Sequence, residues 1–205
     1  MDDLILVGAG GHARSCIDVI EQNKTFRIVG LVDKNVNPGE RVFGYPVVGN
    51  DEMLEVVRET CGSAIVTIGQ IRNADNRVIL YQKIRGLEFI LPTIVSPSAY
   101  VSRNSTVGSG TIVMHNAQVS IGSTIGSNCI VNSCALIDHD STVGDHCHIS
   151  TGAILNGQVE VGERCFIGSG AIIKQSVAIG DNCVIGSGVM VQRDVKPNSV
   201  LRYHE

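Results

Sequence analysis

Every sixth residue from Val95 to Val191 is aliphatic without exception: Val95, Val101, Val107, Val113, Val119, Ile125, Val131, Ile137, Val143, Ile149, Leu155, Val161, Ile167, Ile173, Ile179, Ile185 and Val191. Two residues before each stands a small side chain or valine, as at Ala117, Cys129, Ala135, Cys147 and Ala153. Glycine follows the aliphatic residue at Gly108, Gly126, Gly144, Gly162, Gly168, Gly180 and Gly186. A fixed period of six marks a parallel β-helix. Each unit supplies one short strand of a triangular coil: the aliphatic residue fills the interior, the small one fits the corner, and glycine relieves the turn. Three units close a coil of 18 residues, so the repeat holds between five and six coils. Such a core needs no large rings, and the chain has 4% aromatic residues and no Trp against 43% hydrophobic.

Cys129, Cys147, Cys165 and Cys183 are each 18 residues apart, which stacks them in one column as small buried plugs. No Cys-x-x-Cys pair occurs among the seven cysteines, so zinc-ribbon and thioredoxin-like sites have no support. Sixteen basic against 20 acidic residues form no basic patch, and no nucleic-acid partner is expected. No apolar run approaches the roughly 18 residues that span a bilayer. The N-terminus, Met1-Asp2-Asp3, is acidic where a secretory signal would be basic. These features point to a cytoplasmic protein without a membrane partner.

The first ninety residues read as a small α/β unit. Leu4–Val7 is an apolar strand, followed by Gly8-Ala9-Gly10-Gly11-His12-Ala13 and a helical pattern at Cys16, Ile17, Val19 and Ile20. Ile28–Val32 is a second strand ending at Asp33; Asp51 is placed to cap a helix through Arg58. Ala64–Ile68 is a third strand ending at Gly69, Ala74–Arg85 an amphipathic helix, and Glu88–Val95 a last strand feeding the repeat. Alternating strands and helices imply a parallel sheet. The expected division is an α/β nucleotide-sugar-binding domain over 1–90 and a β-helix over 91–205.

Gly8, Gly10 and Ala13 satisfy G-x-G-x-x-G/A between a strand and a helix, and Asp33 ends the next strand 20 residues past Ala13. Ninety residues hold one mononucleotide half, not the two that grip a dinucleotide. Bare amides at a helix N-terminus attract phosphate, and a carboxylate one strand over can accept from a ribose or base. A phosphate-bearing ligand such as a nucleotide sugar fits; a glycine turn serving only tight packing is the plainer alternative.

Three groups of residues carry a resemblance: Gly8-Ala9-Gly10-Gly11-His12, Ile68-Gly69, and Ile137-Asp138-His139-Asp140 with His148 through Gly157. Together with the hexapeptides they resemble the NeuD/PglD-type bacterial sugar acyltransferases over nearly the whole chain. That resemblance implies a half-Rossmann domain followed by a left-handed parallel β-helix, assembled as a homotrimer with acetyl-CoA between adjacent helices and no metal. It makes His139 the general base and Asp140 the acid that polarises it. His148 would contact the thioester, the Gly157 amide would face the oxyanion, and Ser169 and Gly188 would line the CoA arm. Gly10, Gly11, His12, Asp33, Lys34 and Gly69 would contact the nucleotide sugar. The family usually ends in a Gly-x-Pro-Ala-Lys-type loop; here Leu201-Arg202-Tyr203-His204-Glu205 follows Asn198-Ser199-Val200, and the catalytic assignment does not depend on it.

The chemistry asks for such groups on its own. Acyl transfer from a thioester needs a base near neutrality, and a carboxylate that fixes its tautomer. His139 lies two residues past inward Ile137, where the chain turns outward; His115 has the same phase after Val113 but no acidic neighbour in sequence, and His146 reads as inert. The expected activity is acetyl-CoA-dependent N-acetylation of a nucleotide-linked amino sugar, a 4-amino-4,6-dideoxyhexose, for surface glycan assembly. The rivals are O-acetylation of sialic acid, a zinc-dependent β-helix carbonic anhydrase using His115, His139 and His148, and a non-catalytic oligomerisation prism.

Overall fold

The computed structural model describes residues 1–202; the tail Tyr203-His204-Glu205 lies outside the described residues. Strand β1 (Asp2–Val7) leads into helix α1 (Gly11–Asn23), strand β2 (Phe26–Val32), a hairpin of β3 (Arg41–Val42) and β4 (Tyr45–Gly49), helix α2 (Leu54–Arg58), strand β5 (Ser63–Val66) and helix α3 (Asp75–Gly86). The sheet order is β3-β4-β2-β1-β5, parallel except for the hairpin. Leu4 to Val7 are buried on both faces, which is why β1 reads as an unbroken apolar run rather than an alternating one.

Two local expectations are corrected. The cap before α2 is Asn50, whose side chain accepts from Glu52 N, and Asp51 opens a short 3-10 turn instead. The strand expected over Glu88–Val95 is broken by Pro92: Ile90 bridges Ser63 in the sheet, and Ile94–Val95 starts the prism. The hairpin was not foreseen, although Phe43-Gly44 with φ 47° and 88° is a two-residue turn of the kind a Gly dipeptide signals.

From Ile94 onward, eighteen two-residue strands among the described residues stack into three parallel sheets of seven, six and five strands. The first face starts at Ile94–Val95, the second at Tyr100–Val101 and the third at Thr106–Val107. Each strand pairs in register with the one 18 residues on, as Val119 with Ile137 and Ile137 with Leu155. The inward column from Val113 to Val191 is buried, with Ala117, Cys129, Ala135, Cys147 and Ala153 at its corners. Truncating one such residue, Ile149→Ala for example, removes contacts worth about 2–5 kcal/mol. The cysteine column is structural: the Cys147 thiol donates to Gly162 O at 3.0 Å and its own N–H meets Cys129 Sγ at 3.4 Å. The period lapses after Val191, yet the coil continues: Val195 bridges Ile179, and Val200–Leu201 pairs with Val184–Ile185.

The two parts share a core. Leu4, Leu6, Ala13 and Ile17 pack with Ile94, Ile112, Met114 and Ile130 from the outside of the first face. Arg77, 1% exposed, donates to Val66 O and Ile68 O on one side and to Asn128 O and Oδ1 on the other. No carboxylate pairs with it among the described residues, and burial lowers its pKa to about 10. The first domain therefore sits on the first face and its two flanking edges, leaving the edge between the second and third faces uncovered.

Candidate active site

That uncovered edge carries Asp138, His139, Asp140 and Ser141. Asp140 takes the left-handed turn position, φ 58°, and its carboxylate lies over Gly122, the residue one coil earlier, where a Cβ would collide with it. The turn brings Asp140 Oδ2 to 2.9 Å from His139 Nδ1, and Asp138 Oδ1 accepts from His139 N at 2.7 Å. With its proton on Nδ1 and donated to Asp140, the ring keeps Nε2 as an unprotonated acceptor. The hydrogen bond to Asp140 raises the His139 pKa above its usual value. The side chain is 45% exposed. On its other side the imidazole lies across Gly157, one coil later: a Cβ there would stand 2.5 Å from Nε2. The Gly157 N–H finds no acceptor among the described residues, while its carbonyl accepts from Ser176 N.

His148 points outward from the first face, as its phase requires, but the first domain covers it to 7% exposure. Its Nδ1 donates to Gln70 O at 2.7 Å, Asn132 Nδ2 meets Nε2 at 3.1 Å, and Phe166 packs edge-on at 5.3 Å. His12 from the glycine turn lies 6.3 Å away, centroid to centroid, with Nε2 sealed from solvent and unpartnered. Burial lowers the two pKa values to about 4 for His148 and about 3 for His12, so both rings are neutral. His148 and His139 thus stand on opposite sides of one prism.

The two lone histidines are structural. His115 acquires from α1 the acid it lacks in sequence: Nε2 meets Asp18 Oδ2 at 2.9 Å, and Ser96 Oγ meets Nδ1 at 2.7 Å. Ser96 is 1% exposed, which closes its hydroxyl to solute, while Asp18 remains open at the surface. Asn128 Nδ2 donates to His146 Nδ1 at 2.9 Å, beneath the Arg77 contact. No group of three or more metal-ligating side chains occurs among the described residues.

At the C-terminal edge of the first sheet a cleft of about 470 Å3 opens between Gly8, Asp33, Lys34, Ile68 and Gly69. Gly8 has φ 120° and a Cβ there would run into Ile68, so the turn is built for glycine. Asp33 Oδ2 accepts from Ala9 N and Oδ1 from Asn35 N, both at 2.7 Å, which ties the carboxylate to the glycine turn. Gly10 caps α1 in an extended conformation, and neither Gly10 nor Gly11 has an atom within 4 Å of its would-be Cβ. A third feature lies along the edge between the first and second faces. Gly152, Gly170 and Gly188, stacked at φ 65°, 65° and 70°, carry no side chain at that edge, and Thr151, Ser169 and Ser187 are exposed beside them.

Residues 3–84 match the PglD N-terminal domain, residues 140–175 the bacterial transferase hexapeptide (six repeats), and 158–193 the hexapeptide repeat of succinyl-transferase. Among solved structures, a variant of perosamine N-acetyltransferase from Caulobacter crescentus, in complex with CoA and GDP-perosamine, is 33% identical. It superposes with a TM-score of 0.92 over 98% of this chain and 93% of its own. The chain belongs to the NeuD/PglD-type sugar acetyltransferases. The acetyltransferase domain of PglB from Neisseria gonorrhoeae is 30% identical, TM-score 0.90, covering 98% of this chain and 96% of that one. WeeI from Acinetobacter baumannii, 19% identical with TM-score 0.75 over 98% and 97%, shares the fold. A comparison with curated proteins finds no match.

As a member of this family the chain is an acetyl-CoA-dependent acetyltransferase built on a left-handed β-helix. Sequence reasoning passed over two groups near the sugar acetyltransferase's glycine turn. Gln70, 2% exposed, clamps His148 by its carbonyl and reaches Cys165 O by its side chain, and Arg77 holds the Ile68 carbonyl. Both act through long-range contacts that leave no motif.

Proposed function

We propose that the protein transfers acetyl from acetyl-CoA to the amine of a nucleotide-linked amino sugar, a 4-amino-4,6-dideoxyhexose, for bacterial surface glycan synthesis in the cytoplasm. The observation that carries this is the His139–Asp140 pair with Nε2 lying across Gly157, whose N–H is unpaired among the described residues. Nε2 takes the proton as the amine attacks the thioester carbon; the C–N bond forms and the oxyanion meets the Gly157 N–H. As the C–S bond breaks, the proton passes to the departing thiolate. One such amide is worth about 3 kcal/mol in the transition state. Because His148 and His139 stand on opposite sides of one prism, the His148 that meets the thioester, a neutral ring 7% exposed, belongs to a second copy, as do the Ser169 and Gly188 that border the CoA arm.

The acceptor's charge decides between the two acetylations. Asp138 and Asp140 flank His139, so a sugar bearing an ammonium is drawn in and releases one proton to solvent before its free amine attacks, whereas the carboxylate of free sialic acid is repelled. The fingerprint glycines Gly10 and Gly11, with Asp33, Lys34 and Gly69, then bind the nucleotide, while the expected contact from His12 is not carried over, its Nε2 being sealed beside His148.

We read the assembly as a homotrimer, and the layout supports a second copy at each site. The nucleotide cleft and His139 lie on opposite sides of one chain, so a sugar held in the cleft reaches the catalytic edge of a second copy. Leu136, Ile154, Ile172 and Met190 make an apolar column outside the second face, between the His139 edge and the glycine edge, while the third face presents Thr106, Thr124, Thr142 and Glu160. Incubating the protein with acetyl-CoA and either a nucleotide 4-amino sugar or free sialic acid, with thiol release followed, tests the reading. Turnover on the former supports it; turnover on sialic acid alone overturns it.

A further inference from the structure

The cleft beside the glycine turn holds two carboxylates in different states. Asp33 is spent on Ala9 N and Asn35 N. Asp51, on the opposite wall after β4, receives no hydrogen bond and no ion pair from any described residue. Around it the wall is apolar: Ile79, 63% exposed on α3, and Leu80 flank the amide of Asn76, whose side chain is likewise unpartnered. An exposed isoleucine beside free polar groups offers a flat apolar bed with hydrogen-bonding edges, which is what a planar heterocycle requires.

We infer that Asp51 reads the base of the nucleotide sugar, and that the base it selects is guanine. The inference rests on the nucleotide-sugar reading above and refines it. A carboxylate presents two acceptors side by side and no donor. Guanine alone among the common bases offers two adjacent donors, N1–H and the N2 amino group, to match them. Uracil and thymine present one N–H between two carbonyl oxygens, which would face the carboxylate; adenine and cytosine place a ring acceptor beside their amino group. Asn76 can serve O6 as a donor, and Asp33, already anchored, remains near the ribose.

The test is calorimetric titration of the intact protein with GDP, UDP, ADP and CDP, and of the Asp51→Asn variant with the same four. We expect GDP to bind at least tenfold more tightly than UDP. Asp51→Asn should weaken GDP by about tenfold or more and leave UDP as tight or tighter, because the paired donors of guanine lose their match while the new amide N–H meets a uracil carbonyl. Asp51→Glu, which keeps both acceptors, should retain the preference for GDP. Equal weakening of all four nucleotides by Asp51→Asn would make Asp51 a ribose contact and overturn the assignment, as would UDP binding as tightly as GDP. If the variant fails to fold, the ranking by the unaltered protein decides. No sugar is present in these titrations, so absence of acetyl transfer would count against the proposed function and leave this result standing.

Discussion

The imidazole of His139 rests on Gly157, so closely that one added methyl on Gly157 would stand 2.5 Å from Nε2 and 2.6 Å from Cε1. Glycine at this position is therefore a condition for the imidazole to lie where it does, and in the proposed reaction the same residue offers its N–H to the oxyanion. Gly157→Ala should leave the stacked coils intact, because the position lies on an outer turn. It should displace the ring and cut kcat by about a hundredfold. Steady-state kinetics beside a far-ultraviolet circular dichroism spectrum check this; normal kcat in a folded variant would contradict it.

Asp140 sets both tautomer and basicity. The pair raises the His139 pKa, and the catalytic form is the neutral ring, so activity should rise with pH through a midpoint above the usual histidine value. Asp140→Ala removes the acceptor: the midpoint should move toward acid, and the plateau kcat should drop by about tenfold to a hundredfold. A kcat profile from pH 5 to 9 for both proteins measures it; an unmoved midpoint would break the link between Asp140 and the base.

Much of this was legible in the residues. The six-residue beat specifies the prism because each inward Val or Ile has one place to go, and it places His139 outward two residues past Ile137. The dyad is legible because its members are adjacent in sequence. What escaped notice depends on distant contacts: Asp18 supplying His115 with an acid, Gln70 closing over His148, Arg77 reaching Asn128. The coil beyond Val191 escaped because its inward residue comes at Val195, out of phase. The β3–β4 hairpin carried a readable Phe43-Gly44 signal, masked by strands only two and five residues long.

Arg77 joins the two parts with four acceptors and no counter-ion. Arg77→Met leaves the Asn128 side chain and the Ile68 carbonyl without their donor and should cost about 3 kcal/mol. Arg77→Lys, with one point of charge in place of a fork, should recover only part of the loss. Chemical denaturation resolves the difference; a loss under about 1 kcal/mol for Arg77→Met would contradict the staple.

His12 and His148 predict acid sensitivity. Both are held neutral in the folded protein, at about 3 and about 4, against 6.5 when exposed. The unfolded chain binds the extra protons, so stability is full above pH 6.5 and is lost as pH falls toward 4. Each histidine contributes a slope of about 1.4 kcal/mol per pH unit within that window. Denaturation midpoints at pH 7, 6 and 5 should fall steadily, and His148→Gln should flatten the decline. Constant midpoints would show that the rings are not buried as neutral groups.

The catalytic role of the exposed imidazole is tested most directly by His139→Ala, assayed for thiol release with acetyl-CoA and a nucleotide 4-amino sugar beside its assembly state by light scattering. The account predicts the same assembly state as the unaltered protein, a trimer on the proposed reading, and turnover reduced by roughly a hundredfold or more. A trimeric variant with undiminished turnover would contradict it.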